Sequence, residues 1–215
     1  MPTRVVLIRH GETAWNRERR LQGHTDVPLN DVGVAQADAM AAALDAWNVT
    51  ALASSDLMRA RQTADPIARR FSLKPMYDTA WRERHYGVFE GLTLDELPHR
   101  YPNEYAQWRA RDIHAPSPPQ GEYLNAFHQR IRRALDALAM RYTQAVVAVV
   151  THGGVLDSVY RIATSTPLDI PRAWPIHNAS LNVIDWHAPN HFSLVKWGDI
   201  THLENSLDEL RERSR

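Results

Sequence analysis

Two apolar runs in this chain stop at a histidine. Residues 5–8 (VVLI) lead into Arg9, His10 and Gly11, and residues 146–150 (VVAVV) lead into Thr151, His152 and Gly153. Imidazole can attack phosphorus when it is held neutral, and the guanidinium beside His10 offers a planar fork for phosphate oxygens. Glycine after each histidine lets the backbone come close to an anion. A helix starting after His152 would turn its N–H groups toward negative charge. These residue types describe a phosphate pocket with a nucleophile in it. They can act together if both runs are strands of one open α/β sheet, because such sheets bind ligands outside the carboxyl ends of their strands.

The elements that must position them read as alternating strands and helices. Both histidine-tipped runs have the continuous apolar character of strands buried on two faces, as in a parallel sheet. Between them the pattern predicts a helix from Asp31 capped by Asn30, a strand within 50–55, and a helix over 56–71 with Asp56 as its cap and Pro66 kinking or restarting it. A short third strand follows within 73–78. From Trp81 the chain turns irregular and aromatic, with short helices around 94–100 and 104–112. The stretch at about 84–121 reads as a lid insertion. Leu124, Phe127, Ile131, Leu135 and Leu138 recur at spacings of three and four, the mark of an amphipathic helix. Another helix begins near Gly154, two alternating strands fall within 179–197, and 205–215 reads as a frayed helix. The expected fold is an α/β three-layer sandwich with a mostly parallel central sheet.

Composition limits the functional classes. The 25 basic and 25 acidic residues balance, so no global field favours nucleic acid or a membrane surface, and anion specificity must be local. The absence of cysteine excludes disulfides and thiolate metal sites. No run suggests a signal peptide or a membrane span. The expectation is a single domain over 1–215 in the cytoplasm, with a small-molecule phosphate ester as partner, no nucleic acid, no membrane, and homo-oligomerisation left open.

Five segments, in order, resemble the histidine phosphatase superfamily with its phosphoglycerate-mutase-like fold: "LIRHGETAWN", "LQGHTDVPLNDVG", "SSDLMRARQTA", "RERHYGVFEG" and "VTHGGV". The resemblance covers nearly the whole chain. It implies that His10 is the nucleophile that becomes phosphohistidine, and that Arg9, Arg59, His152 and Asn16 bind the transferring phosphoryl group. Glu83 would protonate the leaving alkoxide and then deprotonate water, from a partly desolvated position beneath the lid. Thr13, Gln22 and Gly23 would complete the pocket wall beside Gly153. Such a site needs no metal and no cofactor, because positioning and charge neutralisation supply most of the catalysis.

The same resemblance sets phosphatase against mutase. Arg84, Tyr86 and Arg109 match residues that help hold phosphoglycerate in the mutases. Leu94 and Ala110, however, stand where mutases carry a lysine and a second arginine, and Gly154 stands where they carry asparagine. The stretch from Glu83 to His152 is also shorter than theirs. A metal-independent phosphomonoester hydrolase is therefore the favoured reading. A phosphoglycerate mutase needing a bisphosphoglycerate primer is the alternative, and a non-catalytic binder of phosphorylated ligands is the third. The aromatic residues Trp81, Tyr86, Phe89, Tyr101, Tyr105 and Trp108 are read chiefly as lid packing. The remaining histidines (24, 85, 99, 114, 128, 177, 187, 191 and 202) read as surface or satisfied groups. Pro189 between His187 and His191 argues against a helical metal pair.

Overall fold

In the computed structural model, which describes residues 1–111, 113 and 118–204, most of the expected elements appear with modest shifts in their ends. The chain runs β1 (Thr3–Arg9), α1 (Ala14–Arg17), α2 (Asp31–Ala43), β2 (Ala51–Ser54), α3 (Met58–Phe71) and β3 (Met76–Tyr77). It continues through α4 (Leu97–Arg100), α5 (Pro102–Ala110), α6 (Leu124–Arg141), β4 (Val146–Thr151), α7 (Gly153–Thr164), β5 (Leu181–Ala188) and β6 (His191–Asp199). The frayed helix expected over 205–215, His114 and part of the lid lie outside the described residues.

The sheet has the order β3-β2-β4-β1-β5-β6. Strands β1 to β4 pair in parallel, and β5 and β6 are antiparallel additions. Side-chain alternation in β1 explains the three layers. Val5 and Leu7 enter one core with Phe127, Ile131 and Leu135 of α6 and Val155 and Val159 of α7. Val6 and Ile8 enter the other, with Met40 of α2 and Ala60, Ala64 and Ile67 of α3.

Three local expectations are corrected. First, α3 runs unbroken through Pro66, which is buried together with Arg59, Ala60, Thr63, Ala64 and Ile67. Burial of that face outweighs the roughly 3 kcal/mol that an internal proline costs. Second, Asp56 does not cap α3, whose Leu57 cap makes no side-chain hydrogen bond. Asp56 instead accepts both Nε and Nη2 of Arg82 at 2.7 and 2.6 Å, tying the approach to α3 to the segment that carries Glu83. Third, β5 does not alternate. Leu181 to Asp185 are all buried, because the strand lies inside the sheet, its Leu181 and Val183 facing one core and Ile184 the other.

The lid has a small core of its own. Phe89, Leu92 and Leu97 are buried beneath Tyr86, Tyr101, Tyr105 and Trp108. Trp81 belongs to the main core instead. Among the described residues, no helix is long and apolar enough to cross a membrane.

Burial of histidine gives the fold a pH dependence. His128 of α6 lies against Ser158 of α7, its Nδ1 at 3.0 Å from Oγ, and burial first, then Arg132 and Arg161, hold its pKa down to about 4. An unfolded histidine protonates near 6.5, so below that pH the unfolded chain binds more protons and stability falls as pH drops toward 4. At about pH 5 His128 alone should remove about 2 kcal/mol relative to neutral pH. Denaturant titrations at about pH 7.5 and pH 5 measure this loss, and His128→Asn should reduce it. An equal loss in that variant would show that His128 does not cause it.

Candidate active site

The register of the sheet brings the two histidines together. Arg9 of β1 pairs with Thr151 of β4, so His10 and His152 each stand one residue past adjacent parallel strands. Their rings are 5.2 Å apart.

His10 is oriented by its own backbone neighbourhood. Its Nδ1 lies 2.7 Å from the Gly11 carbonyl. A carbonyl can only accept, so Nδ1 carries the ring proton and Nε2 keeps the lone pair. Burial, followed by the cationic Arg59 and Arg9, pushes its pKa well below the ordinary histidine value, which keeps the ring neutral at physiological pH. The supporting carbonyls are held from behind: Asn178 Nδ2 donates to the His10 carbonyl at 3.0 Å and to that of Gly11 at 3.3 Å. Gly11 also packs tightly on α2, where an added Cβ would meet the Gly33 carbonyl oxygen at 2.4 Å.

Arg59 is fully buried. It donates through Nη1 to Thr25 O at 2.9 Å, through Nη2 to Gly23 O at 2.8 Å, and through Nε to His152 Nδ1 at 3.2 Å. Burial lowers its pKa to about 10, so it remains a cation. Arg9 is held by one bond to Ile176 O at 2.9 Å, and its buried Nε has no partner in the described structure. Both guanidinium groups line a cavity of about 600 Å³ together with His10 and Glu83.

His152 is fully buried, its ring between Arg59 and Ser55. Because Arg59 Nε–H can only donate, His152 Nδ1 accepts; the Nε2–H then donates to Ser55 Oγ at 2.8 Å. His152 therefore aims the Arg59 guanidinium, and Ser55 fixes the tautomer that permits this. Ser55→Ala should lower kcat/KM about tenfold, since it leaves a buried donor unsatisfied at a cost of about 1–3 kcal/mol. Steady-state kinetics beside a thermal melt check this. Unchanged kcat/KM would make Ser55 a packing residue only.

Glu83 is 8% exposed, and its carboxylate is clamped by two backbone donors, Arg84 N–H to Oε1 at 2.8 Å and Gly154 N–H to Oε2 at 2.9 Å. Gly154 thus does more than open the helix: a Cβ there would lie 2.2 Å from Glu83 Oε1. Gly153 is under no such constraint, as its added Cβ would sit at an ordinary 3.5 Å from Arg9 Nε.

Most of the other expected residues also line the cavity: Asn16, Gln22, Gly23, Arg84, Tyr86 and Gly153. Asn16 Oδ1 accepts from Thr13 and from Asn178 Nδ2, leaving its amide N–H groups for the cavity. Thr13 is the exception. It is fully buried and caps α1 through a reciprocal box with Asn16, so it positions a wall residue and is not part of the wall. Arg84, bound to Glu122 O at 2.9 Å, has its pKa lowered by burial, and burial raises that of Tyr86.

Several supporting residues gave no usable signal in the sequence. Glu90 is one: its carboxylate accepts from His24 N–H, Thr25 N–H, Thr25 Oγ1 and Tyr86 N–H at 2.8–3.0 Å, knotting the Gly23 turn to the lid. Gly23 itself has φ +53°, and a Cβ there would strike that carboxylate. Arg130, paired with Glu122, donates to the carbonyls of Ala80 and Arg82 at 2.7 and 3.0 Å and steadies the approach to Glu83. His187 and His191 do approach, with rings 4.9 Å apart, but across the β5–β6 turn and not along a helix. Among the described residues no group of three or more metal-ligating side chains occurs.

A neutral imidazole with a free lone pair, two guanidinium groups and a clamped carboxylate on one cavity suit phosphoryl transfer through histidine. Residues 5–200 match the histidine phosphatase superfamily, branch 1, and the chain belongs to that superfamily of phosphatases and mutases. It is 36% identical over 204 residues to phosphoglycerate mutase-like protein 4 of Arabidopsis thaliana, covering 94% of this chain and 87% of that one. It is 34% identical over 216 residues to a probable phosphoglycerate mutase, GpmB, of Serratia proteamaculans, covering 96% and 98%. Among solved structures it superposes on mycobacterial glucosyl-3-phosphoglycerate phosphatase in complex with VO3, with a TM-score of 0.82 at 28% identity over 91% of this chain and 99% of that one.

Proposed function

We propose that this protein is a metal-independent phosphomonoester hydrolase that acts through phosphohistidine at His10 on a small phosphorylated metabolite. The observation that carries the reading is the state of His10: neutral, its proton committed to the Gly11 carbonyl, its other nitrogen free at a cavity shared with Arg9, Arg59 and Glu83.

In the first step His10 Nε2 forms a bond to phosphorus as the ester P–O bond breaks, and protonated Glu83 gives its proton to the departing oxygen. Arg9 and Arg59 neutralise charge on the non-bridging oxygens, and the Gly11 carbonyl supports the ring N–H as positive charge grows there. In the second step the Glu83 carboxylate takes a proton from water, water oxygen bonds to phosphorus, the P–N bond breaks, and inorganic phosphate leaves with His10 and Glu83 restored.

Hydrolysis is favoured over transfer between substrates by the lid. Leu94, at the position of the mutase lysine, lines the cavity, so the wall that would hold a phosphoglycerate carboxylate lacks that charge. The mutase reading keeps one support: Arg84, Tyr86 and Arg109 all line the same cavity. The test is an assay in chelator with 3-phosphoglycerate, with and without a bisphosphoglycerate primer, following phosphate and 2-phosphoglycerate. Phosphate without isomer supports the hydrolase. Primer-dependent isomer overturns it in favour of a mutase, and no turnover of any phosphomonoester leaves a non-catalytic binder.

A further inference from the structure

The cations around the cavity fall into two groups. Arg20 is paired with Glu18 and Glu96, Arg111 with Asp157, and Arg84 is bound to the Glu122 carbonyl. These are committed to holding the wall. Arg109 of α5 and Arg172 of the segment joining α7 to β5 are exposed cavity residues with no hydrogen bond or ion pair among the described residues.

Arg109 lies on the lid, where the resemblance already accounts for it. Arg172 lies outside every segment that carries the resemblance, on the wall made by the α7–β5 connection. It follows Pro171, and its segment leads to Ile176, whose carbonyl holds Arg9. It lines the same cavity as Arg9 and His10. The cavity, at about 600 Å³, is of a size that encloses a whole small metabolite and not a phosphoryl group alone. Leu94 and Ala110 carry no charge on the lid, and Arg172 supplies one from the α7–β5 connection.

We propose that Arg172 is a specificity-determining residue that receives a second anionic group of the substrate, a carboxylate or a second phosphate, while the first phosphoryl group sits at His10. The inference rests on the assignment of the phosphoryl end made above. It moves the second anchor from the lid to the α7–β5 wall. A guanidinium fork suits either anion, so the chemistry of the substrate is a phosphomonoester with a second negative charge a few bonds away.

Three probes on one three-carbon skeleton separate the contributions: glycerol 3-phosphate, 3-phosphoglycerate and glycerol 1,3-bisphosphate. Calorimetric affinities are measured in a His10→Ala background, so that turnover does not intervene, with and without Arg172→Ala. The expected result is a preference for at least one of the two probes with a second anionic group over glycerol 3-phosphate, a preference that falls about tenfold in Arg172→Ala and is partly restored by Arg172→Lys. Whichever of the two probes loses affinity identifies the anion. Equal weakening of all three probes overturns the proposal, because Arg172 would then serve the phosphoryl group. No starting preference, or a preference untouched by Arg172→Ala, overturns it as well. The hydrolase reading fails separately, through the absence of phosphate release from the unsubstituted protein, which these binding ratios do not depend on.

Discussion

Replacing His10 with alanine should lower phosphate release by about four orders of magnitude or more, as expected when the group that forms the covalent intermediate is removed. No neighbour can take its place. His152 is buried behind Arg59 with both ring nitrogens engaged, and no cysteine exists. Arg9 and Arg59 stay on the cavity wall, so on the proposed reading the variant should still bind inorganic phosphate or vanadate. Steady-state phosphate release together with acid-quenched detection of phosphohistidine checks this. Substantial turnover, or a phosphohistidine still formed, would show that another group attacks phosphorus.

Glu83→Gln carries the second large effect and is diagnostic because it divides the two chemical steps. Glutamine can donate no proton to a leaving group and accept none from water, and loss of general acid–base catalysis costs about 10²–10⁴-fold. It also presents an NH₂ group where the carboxylate accepts the Arg84 and Gly154 N–H groups, so one of those donors loses its partner. With an alkyl phosphate both steps slow. With p-nitrophenyl phosphate, whose phenolate leaves without a proton, phosphohistidine should form and accumulate because water is no longer activated. Rapid-quench measurement of phosphoenzyme with both substrates reads the difference. Equal rates for variant and parent, or equal slowing of intermediate formation with both esters, would remove Glu83 from the proton-transfer role.

What could be read from the residue string follows from short-range rules. Apolar runs of four or five residues ending in Arg-His-Gly and Thr-His-Gly announce buried strands with charge at their tips. Asn30 announces α2 and does cap it, accepting the Gly33 N–H at 2.8 Å. The five family segments point to His10, Arg9, Arg59 and Glu83 because each carries a recognisable run of residues and all five occur in order. Short-range rules fail where a distant partner competes. Asp56 looks like a helix cap, but both its carboxylate oxygens accept from the Arg82 fork, which comes from a distant part of the chain. Pro66 looks like a break, but the buried face of α3 holds the helix together across it.

The sequence by itself laid out the order of strands and helices, and its resemblance to the family picked out His10 as the expected nucleophile with Arg9, Arg59 and Glu83 around it, because each strand, helix and motif is a contiguous run of residue types. Only the tertiary structure decided that His152 meets Arg59 and Ser55, that Thr13 serves Asn16, that the Gly154 N–H meets the Glu83 carboxylate, and that Arg172 lines the same cavity as His10. Each of these depends on which atoms from separate elements meet, and on which hydrogen-bond donors are already used. That is settled by strand register and packing between residues far apart in the chain.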